Sequence, residues 1–288
     1  MELVKTIADA RRMRARHGRL ALVPTMGALH AGHLSLIAHA KNNATTVAVS
    51  IFVNPTQFGP KEDYNKYPRP IDQDLEQCEH AGVDFVFMPP AEEMYPPGVA
   101  DITVDVPGLS SVLEGKHRPG HFKGVCQIVA KLFNIVQPNV ACFGQKDFQQ
   151  LRVIQAMVEA LDMPIDVIAC PTLRDPDGLA MSSRNMYLSP EDRQRALSIS
   201  RALMLAYKEF SRDGVRQTNR LIATMQKVML EQHLSIDYVA AVDTETFKAV
   251  ERIDGPTLLA IAARVGVTRL IDNTVVTPPE AMVPHHEE

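Results

Sequence analysis

Residues Leu20 to Ala40 read LALVPTMGALHAGHLSLIAHA. A continuously apolar run hands over, through a glycine-bearing turn, to a segment in which Leu34, Ile37 and Lys41 recur at helical spacing. Strand, tight turn and helix in that order form the opening of a parallel α/β unit. The same alternation continues outward. TTVAVSIFVNP (Thr45–Pro55) reads as a long buried strand, IDQDLEQCEHAG (Ile71–Gly82) as a helix with Gly82 suited to its C-terminal end, and VDFVFMPP (Val83–Pro90) as another strand. HFKGVCQIVAKLFNIVQP (His121–Pro138) carries an apolar stripe through Val125, Ile128, Val129, Leu132, Phe133 and Val136. The short strand NVACFG, the helix DFQQLRVIQAMVEALDM and the strand PIDVIAC follow.

Strands of unbroken hydrophobicity separated by helices of ten or more residues predict a Rossmann-like parallel sheet covered by helices on both faces. Ligands of such sheets bind beyond the carboxyl ends of the strands. Past about residue 175 the order changes to helix, helix, strand, strand, strand. Ser189 and Pro190 mark the start of the first of these helices, the second spans about Val215 to His233, and SIDYVAAVD, TLLAIAARV and TRLIDNTVV read as strands. The expectation is therefore two domains, 1–174 with the parallel sheet and 175–288 as a smaller α+β domain. The last ten residues are expected to fray.

Composition bounds the function. The chain has 288 residues, 45% hydrophobic and 22% charged, with net charge −4, so no global basic field is present to hold a nucleic-acid backbone. An anionic ligand must be met locally. RRMRARHGR (Arg11–Arg19) is expected to form the solvated face of a first helix, and no apolar stretch approaches the ~20 residues of a membrane span. A cytoplasmic location is the expectation. Cys78, Cys126, Cys142 and Cys170 are widely spaced without a CxxC pair, which points to reduced, buried thiols.

Five loops carry chemistry-bearing residues. In the first, Gly27 and Gly32 allow close backbone approach, and amides at the helix start with His30 and His33 would meet a phosphate chain; a metal pair or chance surface histidines are the competing readings. In FVNPTQFGPKEDYNKYPR, Asn54 and Gln57 offer amides to a substrate, or simply shape an Asn-Pro turn. EGKHRPGHFKGV concentrates Lys116, His117, Arg118, His121 and Lys123 before a helix, as an anion site or a solvated loop. In FGQKDFQQL, Gly144 permits a tight turn, Asp147 is expected to cap the helix and Lys146 supplies a cation. RDPDGLAMSSRN (Arg174–Asn185) is a linker or a lid with hydroxyl donors and Arg184. No GxGxxG loop, Walker-type GxxxxGK[ST] or hydrolase elbow occurs. From the residues alone, the ligand is a nucleotide triphosphate held without a P-loop, and the reaction is adenylyl transfer to a small anion.

The first loop resembles the HIGH motif of the nucleotidyltransferase superfamily, which includes class I aminoacyl-tRNA synthetases, and MSSRN resembles the matching KMSKS loop. More narrowly, PTMGALHAGH, FVNPTQF, YPR, RPGHFKGV, FGQKD and DGLAMSSRN, in that order from about residue 24 to 186, resemble the pantothenate synthetase (pantoate-beta-alanine ligase) family. The resemblance implies ATP-dependent condensation of (R)-pantoate with beta-alanine through a pantoyl-adenylate, releasing AMP and pyrophosphate. The alternative is another adenylyl-transferring enzyme of the superfamily; a non-catalytic nucleotide-binding protein is a further one.

By position, the resemblance assigns Met26, Gly27, Ala28, Leu29, His30, Ala31, Gly32 and His33 to ATP, with His33 at the phosphates as proton donor. It also assigns to ATP Gly144, Gln145, Lys146 and Asp147, and Met181, Ser182, Ser183 and Arg184 of a closing second domain. Gln57 and Gln150 would hold pantoate, with Asn54 and His121 nearby. His30, His33, Lys146 and Arg184 would carry the catalytic charge stabilisation. The implied enzyme is a cytoplasmic, magnesium-dependent homodimer. Some relatives carry an acidic run after YPR that has been linked to magnesium; here Gln73 separates Asp72 from Asp74, so no protein ligand is assigned and the ion is expected on ATP itself.

Overall fold

The computed structural model describes residues 1–60 and 62–279. It divides into two compact units, Met1–Leu173 and Arg174–Glu288. The expected fraying of the last ten residues falls, from Glu280 on, outside the described residues.

The first unit contains β1 (Glu2–Val4), β2 (Leu20–Thr25), β3 (Thr46–Ile51), β4 (Phe85–Phe87), β5 (Val140–Gly144) and β6 (Asp166–Cys170). Its helices are α1 (Ile7–Arg16), α2 (Ala31–Asn43), α3 (Ile71–His80), α4 (Ala91–Met94), α5 (Pro107–Ser110), α6 (Glu114–His117), α7 (His121–Val136) and α8 (Phe148–Ala160). The strands form one sheet in the order β1-β4-β3-β2-β5-β6, with every pairing parallel. The predicted α/β class is therefore correct. Strand β3 is buried at all six positions, which is why its sequence is continuously apolar rather than alternating. Two features differ from the sequence reading. Strand β1 has no counterpart in the sequence reading because three residues carry no usable periodicity, nor have α4 and α5, and α6 falls in a segment read as loop.

The chain direction reverses within the sheet. From β2 it steps to β3 and β4 on one side, then returns to β5 and β6 on the other. The boundary between β2 and β5 is thus a topological switch point. The loops that follow β3, β2 and β5 emerge from three adjacent strands at the same carboxyl edge.

The second unit contains α9 (Pro190–Ser211), α10 (Thr218–Leu230) and an antiparallel sheet of β7 (Ser235–Asp243), β8 (Thr257–Val265) and β9 (Thr268–Val276), in the order β7-β8-β9. The smaller α+β arrangement read from the sequence is the one observed. Its core joins Ile199, Leu203, Leu221 and Met225 of the helices to Leu259 and Ile261 of the central strand. Ser189 caps α9 by accepting the Asp192 amide at 3.1 Å, with Pro190 in the first turn as predicted. All four cysteines are free and buried, and burial pushes the Cys78 and Cys126 thiols up to about 12.

One close approach decides where α7 sits. A Cβ built on Gly124 would lie 2.4 Å from the Thr56 carbonyl oxygen and 2.6 Å from the Gln57 nitrogen. Helix α7 therefore touches the one-turn helix Pro55–Gln57 backbone to backbone. Gly124→Ala is expected to force these apart and destabilise the chain by about 1–3 kcal/mol, read as a lowered denaturant midpoint.

Candidate active site

The turn after β2 is built around two glycine-permitted geometries and one buried acid. Gly27 has φ +79 and Ala28 φ +50, so the chain turns sharply through the left-handed region. The Thr25 hydroxyl donates to the Ser50 carbonyl at 2.8 Å and accepts the Gly27 amide at 3.1 Å. The next two amides, of Ala28 and Leu29, donate to Oδ2 and Oδ1 of Asp74 at 2.8 and 2.7 Å. Asp74 comes from the first turn of α3 and is 1% exposed. The sequence reading weighs this acid only as a magnesium ligand; its partner is a loop 45 residues away.

The two histidines cap α2 jointly. His30 is the N-cap residue, its Nδ1 accepting the Gly32 amide at 3.1 Å, while His33 Nδ1 accepts the His30 amide at 3.4 Å. The rings lie 4.1 Å apart. Because each Nδ1 is an acceptor, each neutral ring carries its proton on Nε2. Burial, and then the neighbouring His30, pushes His33 down to about 3. His33 is therefore a neutral hydrogen-bond donor at neutral pH and not an imidazolium. Several amides at and just before the helix start are already engaged. The Gly32 amide is taken by His30, and the Ala28 and Leu29 amides by Asp74.

Beside this loop, Asn54 is a buried hub, 1% exposed. Its Nδ2 donates to Gln57 Oε1 and to the Gly124 carbonyl, both at 3.1 Å. Its Oδ1 accepts the Tyr95 hydroxyl at 2.7 Å and the Thr56 hydroxyl at 3.1 Å. That uses both donors and both lone pairs, so Asn54 orients its neighbours and has no group left for a substrate. Gln57 Nε2 in turn donates to Met26 Sδ at 3.3 Å, linking this turn to the histidine loop.

His121 is likewise engaged on both sides. Its Nδ1 donates to the Gln57 carbonyl at 2.9 Å and its Nε2 accepts from Arg118 Nη1 at 3.0 Å. Burial, followed by the Arg118 charge, pushes it down to about 4, so it too is neutral. Arg118 is held by Glu62 through paired 2.7 Å contacts, a two-pronged geometry that fixes a guanidinium in plane. Of the basic residues gathered between Lys116 and Lys123, Arg118 is thus neutralised by an acid.

The third loop follows β5. Lys146 and Asp147 both lie close enough to His33 to act on its charge, Asp147 raising and Lys146 lowering its proton affinity, and Asp147 acts on His121 as well. The loops after β3, β2 and β5 therefore share one electrostatic neighbourhood. Asp147 occupies the N-cap position of α8 but makes no capping hydrogen bond with its side chain, contrary to the capping role expected of it. Gln149 and Gln150 divide their work. Gln149 is buried and donates to the Leu109 and Val112 carbonyls at 2.7 and 2.8 Å, whereas Gln150 is partly exposed and has no hydrogen-bond partner among the described residues.

In the second unit, the segment Arg174–Tyr187 is pinned at its start. Arg174 donates to both Asp272 oxygens at 2.7 and 3.0 Å, and Arg193 bridges Asp175 and Asp177. Ser182 accepts the Arg184 amide at 3.3 Å and starts the one-turn helix Ser183–Tyr187. Met181, Ser182, Ser183 and Arg184 are partly exposed. Tyr95, Glu62 and Gln149 shape the site without a role in the sequence reading, and Asp74, weighed there only for magnesium, does so as well. Among the described residues no group of three or more His, Cys, Asp or Glu side chains is arranged to hold a metal ion, and no helix is long and apolar enough to cross a membrane.

The sequence model of the family described as pantoate-beta-alanine ligase matches residues 2–275. A pantothenate synthetase of Moorella thermoacetica is 52% identical over 281 residues, covering 96% of this chain and 99% of that protein. One of Thermotoga petrophila is 48% identical over 283 residues, covering 96% and 100%. The crystal structure of pantothenate synthetase from Thermus thermophilus superposes with a TM-score of 0.92 at 43% identity, covering 96% of this chain and 100% of that one. The pantoate-beta-alanine ligase from Francisella tularensis, complexed with beta-gamma ATP and beta-alanine, has a TM-score of 0.78 at 33% identity, covering 96% and 97%.

The two depressed histidines make a pH prediction. An unfolded histidine binds its proton near 6.5, whereas His121 and His33 stay neutral down to about 4 and about 3. Between those values the unfolded chain holds more protons, so stability falls as pH drops through that window and is fully present above about 6.5. Denaturant midpoints measured from pH 7 to 4 are expected to decline, and the decline is expected to be shallower in His121→Gln.

Proposed function

This chain belongs to the pantoate-beta-alanine ligase family, and from that membership we infer how its site residues divide the reaction between them. The enzyme condenses (R)-pantoate with beta-alanine at the expense of ATP, through a pantoyl-adenylate, releasing AMP and pyrophosphate. A carboxylate does not react with an amine at neutral pH because oxide is a poor leaving group. Attack of the pantoate carboxylate on the α-phosphorus forms the mixed anhydride and expels pyrophosphate. The beta-alanine amine then attacks the acyl carbon and expels AMP.

The first step needs stabilisation of charge on phosphate oxygens and on departing pyrophosphate. The observation that supports this reading is the shared electrostatic neighbourhood of His33, Lys146 and Asp147 beyond β2 and β5. In it, His33 donates Nε2–H as a neutral group with the His30 ring beside it, and Lys146 supplies positive charge to the phosphates. Asp147 is assigned to the ribose, together with Gly144 and Gln145 as the adjoining backbone. Met181 to Arg184 of the second unit are assigned to the triphosphate, with Arg184 as a second cation. Gln57 and Gln150 are assigned to pantoate; Asn54 and His121 act on Gln57 by holding it. The second step draws chiefly on the juxtaposition of the two reactants.

Magnesium does not fit a protein cage here. Both Asp74 oxygens accept backbone amides, and Asp72 stands apart from it on α3. The ion belongs in this proposal with the phosphate oxygens and water, which it prefers to dedicated protein ligands. Homodimeric assembly and a cytoplasmic location are also part of the proposal, from the resemblance.

Removing one charge-stabilising donor is expected to lower turnover by ~10²–10³-fold. Lys146→Ala and His33→Ala should each show that loss in pantoate-dependent exchange of pyrophosphate into ATP, with unchanged circular dichroism. Near-normal exchange in both purified variants would sink the assignment. Exchange supported by other carboxylates but not pantoate would favour a different adenylyl transferase.

A further inference from the structure

Asp74 has no place in the residue assignments above, yet the histidine loop is fastened to it. Its carboxylate is 1% exposed, and each oxygen accepts one amide of consecutive loop residues, Ala28 and Leu29. The fit is mutual. A Cβ at position 27 would lie 2.8 Å from Asp74 Oδ2, so glycine is required there by the carboxylate as well as by its φ of +79. Ala28 follows at φ +50, a conformation that a residue with a side chain keeps only when its surroundings over-determine it. The two hydrogen bonds from Ala28 and Leu29 are that constraint. One residue further on stands His30, whose backbone and ring arrange the start of α2 and the His33 ring.

We propose that Asp74 is a positioning residue for adenylate formation: its ionised carboxylate clamps the Gly27–Leu29 turn from beneath and so sets where His30 and His33 present Nε2–H to the triphosphate. The clamp requires the carboxylate form, since two inward-pointing N–H groups need two acceptors. An amide of the same size offers one acceptor and turns an NH2 group against the other N–H. This gives the acid after YPR a role distinct from metal binding. It acts through backbone it holds rather than through an ion. The inference rests on the functional reading above, and its test separates the two.

The variant is Asp74→Asn, which preserves volume. Pyrophosphate exchange is measured against ATP, pantoate and magnesium concentration, and amide hydrogen exchange of the Pro24–Leu36 segment is followed by mass spectrometry. The clamp predicts a loss of about 10²-fold in kcat/KM for ATP, the scale of a displaced catalytic group. It also predicts faster amide exchange in that segment, an unchanged KM for pantoate and an unchanged magnesium concentration for half-maximal rate. A kcat/KM for ATP within about twofold of the parent overturns the clamp while leaving the ligase reading intact. A raised magnesium requirement with unaltered amide exchange overturns it in favour of metal ligation. Absence of pantoate-dependent exchange in the parent enzyme overturns the ligase reading itself. Should Asp74→Asn fail to fold, amide exchange in the parent enzyme decides: protected Ala28 and Leu29 amides support the clamp, and unprotected ones overturn it.

Discussion

The constraint on which the site depends is the adjacency of β3, β2 and β5 in one parallel sheet, with the chain reversing across β2 and β5. Parallel strands with the same polarity deliver their following loops to one edge, and neighbouring strands are about 4.8 Å apart, so three loops are gathered within about 10 Å. No side-chain interaction is needed to bring the Asn54 turn, the histidine loop and the Lys146 loop together. The backbone hydrogen bonds of the sheet do that, and their register is held by strands whose side chains are buried along nearly their whole length.

Within that frame the polar groups largely satisfy one another. Asn54 uses all its hydrogen-bonding capacity on Gln57, Gly124, Thr56 and Tyr95, and His121 spans Gln57 and Arg118. A group saturated by protein partners does not bind substrate, but it fixes the orientation of the group beside it. Gln57 is the beneficiary of both. The same economy applies to charge. Burial removes the proton that would make His33 and His121 cations, and Glu62 pairs with Arg118. What the site offers a polyanion is a set of oriented neutral N–H donors beside Lys146. Donors already fixed in place need no reorganisation when charge develops on a phosphate.

The elements themselves were legible. The strand from Leu20, the amphipathic stripe of α7 and the three strands of the second unit are read from periodicities and turn residues that act over a few positions. The loops carrying chemistry were legible for the same reason, because strand ends and glycines mark them. Residues whose partners are remote were misread or passed over. Asp74 reads as an acid to be weighed only for magnesium, Asp147 as a cap, and Tyr95 carries no signal, because the Ala28 amide and the Asn54 side chain lie 46 and 41 residues away from Asp74 and Tyr95.

The sequence by itself determined the kinds of element, their order and the loops in which nucleotide chemistry is placed, since helix and strand periodicity and turn geometry are local properties. Only the tertiary structure decided the charge state and job of each polar side chain. Whether His33 is a cation, whether Asn54 has a hydrogen bond to spare and what Asp74 holds depend on desolvation and on partners brought in from distant parts of the chain. Those quantities have no local signature.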